Sequence, residues 1–70
     1  MIKYTDGKYI YFVSALLGDN FAVCQKQIGS TKLGLHKYRS SANKTVASPG
    51  EAQDYLDRIA LRKGWDEYDE

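Results

Sequence analysis

The segment Ser48–Trp65, SPGEAQDYLDRIALRKGW, constrains the fold more than any other stretch, because it carries a start signal, a stop signal and one buried stripe for a single helix. Ser48 is a natural N-cap, Pro49 takes the first helical position where a missing N–H costs nothing, and Glu51 completes a capping-box pattern. Gly64 supplies the left-handed residue that ends a helix, and Trp65 stands where a Schellman motif folds an apolar side chain back onto Ala60 or Ile59. Ala52, Tyr55, Leu56, Ile59 and Ala60 recur at helical spacing on one face. Asp54 and Asp57 lie toward the start and Arg58, Arg62 and Lys63 toward the end, in agreement with the helix dipole. A helix with one apolar stripe needs one surface to lie on, and the residues before it must build that surface.

The chain has 70 residues, enough for one domain that buries only roughly 60% of its unfolded surface. Its core is therefore expected to be one layer of sheet against the helix, and self-association is one route to extra stability. The single cysteine, Cys24, has no partner for an internal disulfide and makes no zinc site alone, which points to a reducing, cytoplasmic setting. The run Tyr9–Leu17 has the look of a leader core, but Asp6 interrupts the basic flank and Val23 is too large for the residue before a lipoprotein cysteine. No stretch approaches the length of a membrane span.

Read in order, Ile2–Thr5 and Lys8–Leu17 are two strands joined by Asp6-Gly7, a strong hairpin signal. Gly18-Asp19-Asn20 turns the chain into a strand at Phe21–Ile28, and Gly29-Ser30-Thr31 turns it again into Lys32–Arg39, where Gly34 marks a bulge. Residues 40–47 read as a polar loop before the helix. The fold class is α+β: a small antiparallel sheet of three to four strands, a meander, packed against one C-terminal helix. Residues 1–65 form the single domain and residues 66–70 an acidic flexible tail. Alternation puts Ile10, Phe12, Phe21, Val23, Leu33 and Leu35 under the helix. It leaves Tyr9, Tyr11, Val13, Cys24, Lys26, His36 and Tyr38 on the other face, which is then aromatic and basic together.

Little in the chain suggests catalysis. His36, the only histidine, has no oriented carboxylate or serine nearby in the pattern, and Cys24 in an alternating strand reads as a half-buried hydrophobe. Glu51, Asp54 and Asp57 belong to the opening turns of the helix rather than to a metal site, and Gly18, Gly29 and Gly34 do not form a phosphate loop. The expectation is a non-catalytic module with no cofactor and no metal.

Charge points to binding. Residues 24–45 carry Lys26, Lys32, Lys37, Arg39 and Lys44 with no acid, while from Val46 onward seven acids oppose three bases. Either the basic half neutralises the acidic helix, or it is offered to an acidic partner. Tyr9, Tyr11, Lys26, Lys37, Tyr38, Arg39 and Lys44 are the candidate binding residues: lysine and arginine for phosphates or carboxylates, tyrosine for stacking or interface contact. Arg58, Leu61 and Arg62 form a second candidate surface, because Leu61 falls off the helix stripe between two arginines. Six tyrosines and one tryptophan exceed what a thin core needs, which favours a protein partner or a second copy of the chain. Size and composition are those of phage and mobile-element accessory proteins, inhibitors of host defence among them, an argument by analogy.

The run from Asp6-Gly7-Lys8-Tyr9, through two strands and a basic loop, to TVASPGEAQDYL (residues 45–56) resembles the AP2-like domain, the three-strand-plus-helix module that precedes phage integrases as an arm-binding domain. That resemblance implies a sheet lying in the DNA major groove, with Lys26, Lys37 and Arg39 touching DNA, as the alternative to a protein partner.

Overall fold

The structure, a computed structural model, describes residues 1–16, 18–29 and 36–69. Its elements in chain order are β1 (Lys3–Thr5), β2 (Tyr9–Ala15), β3 (Phe21–Gln27), β4 (His36–Lys37), α1 (Pro49–Lys63) and β5 (Asp66–Tyr68). All strand pairs are antiparallel and the order across the sheet is β4-β3-β2-β1-β5. The small sheet and single helix expected from the sequence are present, with one strand more. Strands β1 to β4 form the meander; α1 then crosses one face and delivers the chain to the far side of β1. Leu33, Leu35, the Gly34 bulge and the first part of the Lys32–Arg39 strand lie outside the described residues.

Strand β5 places Asp66–Tyr68, expected to be part of a flexible tail, in the sheet. Asp66, Glu67 and Tyr68 pair with Thr5, Tyr4 and Lys3. A ladder is made by backbone groups, so a charged segment with no apolar alternation still joins it, and charged side chains suit an edge strand.

The hairpin between β1 and β2 is held by Asp6. Its Oδ1 accepts the N–H groups of Lys8 at 2.9 Å and Tyr9 at 2.8 Å, and its Oδ2 accepts the Tyr11 hydroxyl at 2.8 Å. Gly7 takes the turn at φ 96°, a conformation that favours glycine. Burial pushes the Asp6 carboxyl up, but the Tyr9 and Lys8 N–H groups and the Tyr11 hydroxyl together outweigh it, and the carboxyl ends below its ordinary value of 3.8. A depressed folded-state value stabilises the fold above the ordinary value and ceases to do so as pH falls through the folded one. Asp6→Asn is therefore expected to lower the melting temperature at neutral pH, with a difference from wild type that shrinks as pH drops below 3.8. A difference independent of pH would mean that the carboxylate charge contributes nothing.

The helix begins and ends where its signals stand. The Ser48 Oγ accepts the Glu51 N–H at 3.4 Å, Gly64 adopts φ 74°, and the Trp65 N–H donates to the Ala60 carbonyl at 2.9 Å. Ala52, Leu56, Ile59 and Ala60 are buried against the sheet.

Which sheet face they meet differs from the expectation. The register Tyr11↔Gln25, Val13↔Val23 and Ala15↔Phe21 puts Tyr9, Tyr11 and Val13 on the same side as Val23 and Phe21. The core is Tyr11, Val23, Leu56 and Ile59, with Tyr4, Tyr9, Val13, Tyr38, Ala42 and Trp65 packed around it. Ile10 and Phe12 lie on the opposite face with Cys24 and Lys26. Alternation does not choose a face for β2, because every residue from Tyr9 to Val13 is apolar or aromatic. The aromatic cluster chooses it: Trp65 stacks on Tyr11 with centroids 3.7 Å apart at 4°, and Tyr38 stands edge-on to both at 5.4 Å.

The polar loop after β4 is structural. Its Asn43 is buried; Oδ1 accepts the Val23 N–H at 3.0 Å, and Nδ2 donates to the Val23 carbonyl at 3.0 Å and to the Tyr38 carbonyl. Three residues on, Val46 exchanges both backbone hydrogen bonds with Phe21. One amide side chain and one residue thus continue the outer ladder of β3 beyond the two-residue β4.

Candidate partner-binding surfaces

The sheet face turned away from α1 carries Lys3 from β1, Ile10 and Phe12 from β2, Cys24 and Lys26 from β3, and Lys37 from β4. Phe12 is half-buried at its centre, and the Lys3 ammonium lies 5.7 Å from its ring centroid. Lys26 and Lys37 are exposed, and the Lys37 Nζ donates to the Thr45 Oγ1 at 3.1 Å. Cys24 is fully buried; burial pushes its thiol up, only partly offset by Lys37, so it packs as a small hydrophobe and not as a nucleophile.

The aromatic half of the expected surface is elsewhere. Tyr9, Tyr11 and Tyr38 pack in the core under the helix, so the structure separates them from Lys26 and Lys37, which stay on the open face. The polar end of Tyr11 is used internally as well. Burial, and then the hydrogen bond to Asp6, push the Tyr11 phenol well above its ordinary value. The Tyr4 phenol is pushed up to about 12 by burial and by its 2.8 Å hydrogen bond to the Asp57 Oδ1. Gln53 Nε2 donates to the same Asp57 oxygen at 2.9 Å and to the Ile2 carbonyl at 3.0 Å, tying the helix to the chain ahead of β1. Arg39 is exposed beyond the end of β4.

Lys44 meets a different set of residues. The loop around Asn43 returns along α1 and forms with it a groove of about 150 Å³, lined by Ala42, Lys44, Tyr55, Arg58, Ile59 and Arg62. The groove joins one residue of the first predicted set, Lys44, to two of the second, Arg58 and Arg62. Leu61 lies beside them, 86% exposed, because Trp65 folds away from it onto Tyr11. Sequence alone carries no signal for this meeting: the residues are far apart in the chain, and the loop is held beside the helix by the anchoring of Asn43 to Val23 and Tyr38 and of Val46 to Phe21.

A second depression, about 560 Å³ and wide open, lies at the β1–β5 edge among Met1, Ile2, Lys3, Glu67, Tyr68 and Asp69. His36 is exposed in β4 opposite Gln25. Among the described residues no group of three or more His, Cys, Asp or Glu side chains is placed to hold a metal ion, and no helix is long and apolar enough to cross a membrane. Comparison with known protein families, with curated proteins and with solved structures finds no match to this chain.

Proposed function

We propose that this domain is a non-catalytic module that binds a protein, another copy of itself included, through the outer face of α1. The observation that carries the reading is Leu61, 86% exposed between Arg58 and Arg62. An isolated exposed leucine is ordinary. The two arginines beside it make no hydrogen bond or ion pair among the described residues and are of the type enriched at interfaces, and the leucine adds exposed apolar area between them. The surplus of tyrosines no longer supports the reading, since four of the six pack in the core cluster or around it. A cytoplasmic accessory role of the kind carried by phage or mobile-element proteins fits the size and the lone buried cysteine.

Leu61→Asp tests this directly. The variant is expected to lose the proteins captured by the wild-type domain from a lysate of its source cells while its melting temperature stays within about 4 °C of wild type, as for other exposed substitutions. Capture unchanged by the substitution would remove Leu61 from any interface.

Duplex DNA is the second reading, favoured by the position of Lys26 and Lys37 on the face opposite α1, the face that the AP2-like resemblance lays in the major groove. Fluorescence anisotropy with labelled duplex is expected to show binding that weakens steeply with salt and is lost in Lys26→Glu/Lys37→Glu. Binding that survives the double substitution would rule out this face.

A further inference from the structure

We propose that the groove between α1 and the loop at residues 42–44 is a docking site for a short acidic peptide segment of a partner protein. One aliphatic or aromatic side chain of that segment sits on Ala42, Tyr55 and Ile59, and its carboxylates meet Lys44, Arg58 and Arg62. The inference rests on the reading of α1 as a protein-binding face and names the chemistry that face selects.

Size limits the occupant first. About 150 Å³ is room for a group the size of benzene, well below the few hundred Å³ of a cofactor or nucleotide pocket. One side chain fits. The lining decides its character: Ile59 is almost fully buried, Ala42 and Tyr55 are half-buried, and these three form an apolar floor. The rim is cationic, with Lys44, Arg58 and Arg62 all exposed.

The rim charges are available. Among the described residues, neither guanidinium nor the Lys44 ammonium has a hydrogen bond or ion pair, and Asp54, one turn ahead of Arg58, does not reach it. Arg58 and Arg62 stand at i and i+4, where like charges oppose helix formation, so an added anion relieves a repulsion already present in the free protein. A simple phosphate would use the rim and leave the apolar floor wet. A duplex offers charge in abundance but no single apolar side chain to seat in a small concavity. A peptide with an apolar residue between acids uses both parts at once, as buried anchors with a charged rim do at protein interfaces.

The test uses the whole chain and labelled peptides. Anisotropy is measured with fluorescein-labelled Glu-Asp-Leu-Asp-Glu, with Glu-Asp-Ala-Asp-Glu, with Gln-Asn-Leu-Asn-Gln and with a short duplex, each also competed with inorganic phosphate. The acidic peptide with leucine is expected to bind about tenfold or more tighter than either control peptide, because each loses one of the two kinds of contact. It should shift the amide NMR signals of Ala42 and Ile59. Arg58→Glu/Arg62→Glu should abolish that binding while leaving the melting temperature near wild type, and Lys-Lys-Leu-Lys-Lys should bind the reversed variant. Equal affinity for the leucine and alanine peptides would overturn the proposal by reducing the groove to a patch of charge. Stronger binding of duplex, lost in the same variant, would overturn it in favour of nucleic acid. A concentration-dependent dimer that the acidic peptide does not dissociate would give the groove to a second copy. If Leu61→Asp abolishes capture of a partner and no peptide binds, the groove fails and the protein-binding reading stands; if peptides bind and Leu61→Asp changes nothing, the groove stands and the interface on α1 excludes Leu61.

Discussion

Trp65→Ala is expected to cost about 3 kcal/mol, near the lower end for loss of a large aromatic from a core because the indole is only half-buried. The effect is large for this chain. A 70-residue domain has a total stability of roughly 4–10 kcal/mol, and the melting temperature should fall by roughly 12–24 °C. The reason lies in the face-to-face stack on Tyr11, which joins the end of α1 to the centre of the sheet, with Tyr38 closing the cluster edge-on. Trp65→Phe keeps a ring there and should cost about half as much or less. Urea unfolding followed by circular dichroism measures both, independently of tryptophan fluorescence. A cost below about 1 kcal/mol for Trp65→Ala would show that the cluster holds without the indole.

Asn43→Ala is expected to cost about 2–3 kcal/mol, although the residue sits in a loop. Its amide is the acceptor for the Val23 N–H at the buried centre of β3, and nothing else replaces it there. The Val23 carbonyl fares better, since the Tyr38 N–H also donates to it at 2.9 Å. Asn43→Asp should be no milder, because a carboxylate would then face two carbonyl oxygens in place of the donor that now joins them. Hydrogen exchange at the Val23 amide should speed up in both variants relative to the rest of β3. If Asn43→Ala unfolds at the wild-type urea concentration, the side-chain ladder is dispensable.

Asn43 also shows where sequence reading runs out. A helix is specified by residues close together in the chain, and Ser48, Pro49, Gly64 and the stripe through Leu56 and Ile59 state its ends and its buried side without reference to anything else. The hairpin at Asp6-Gly7 is local in the same sense. The face of β2 is not local: Tyr9 to Val13 offers an apolar side chain both ways, and the choice is made by Trp65, more than fifty residues away. The tyrosines were therefore legible as an excess but not as a core. Strand β5 was missed because edge pairing asks for exposed backbone and not for apolar residues. The groove lay deepest, since it exists only after an amide in a polar loop has replaced a strand partner.

The pairing of β5 with β1 decides how the domain yields to force. Lys3 lies opposite Tyr68 and Thr5 opposite Asp66, so the segments leading to the two ends of the chain leave the sheet side by side at the same end of one ladder. Tension applied across those ends acts along the hydrogen bonds rather than across them, and it opens the ladder one rung at a time, as a zipper opens. The aromatic cluster beneath α1 comes under load only after this edge has parted. A chain threaded from its C-terminal side into an unfolding machine would therefore meet little resistance at the first step, since β5 pairs with β1 alone, and its stall point should be the stack of Trp65 on Tyr11.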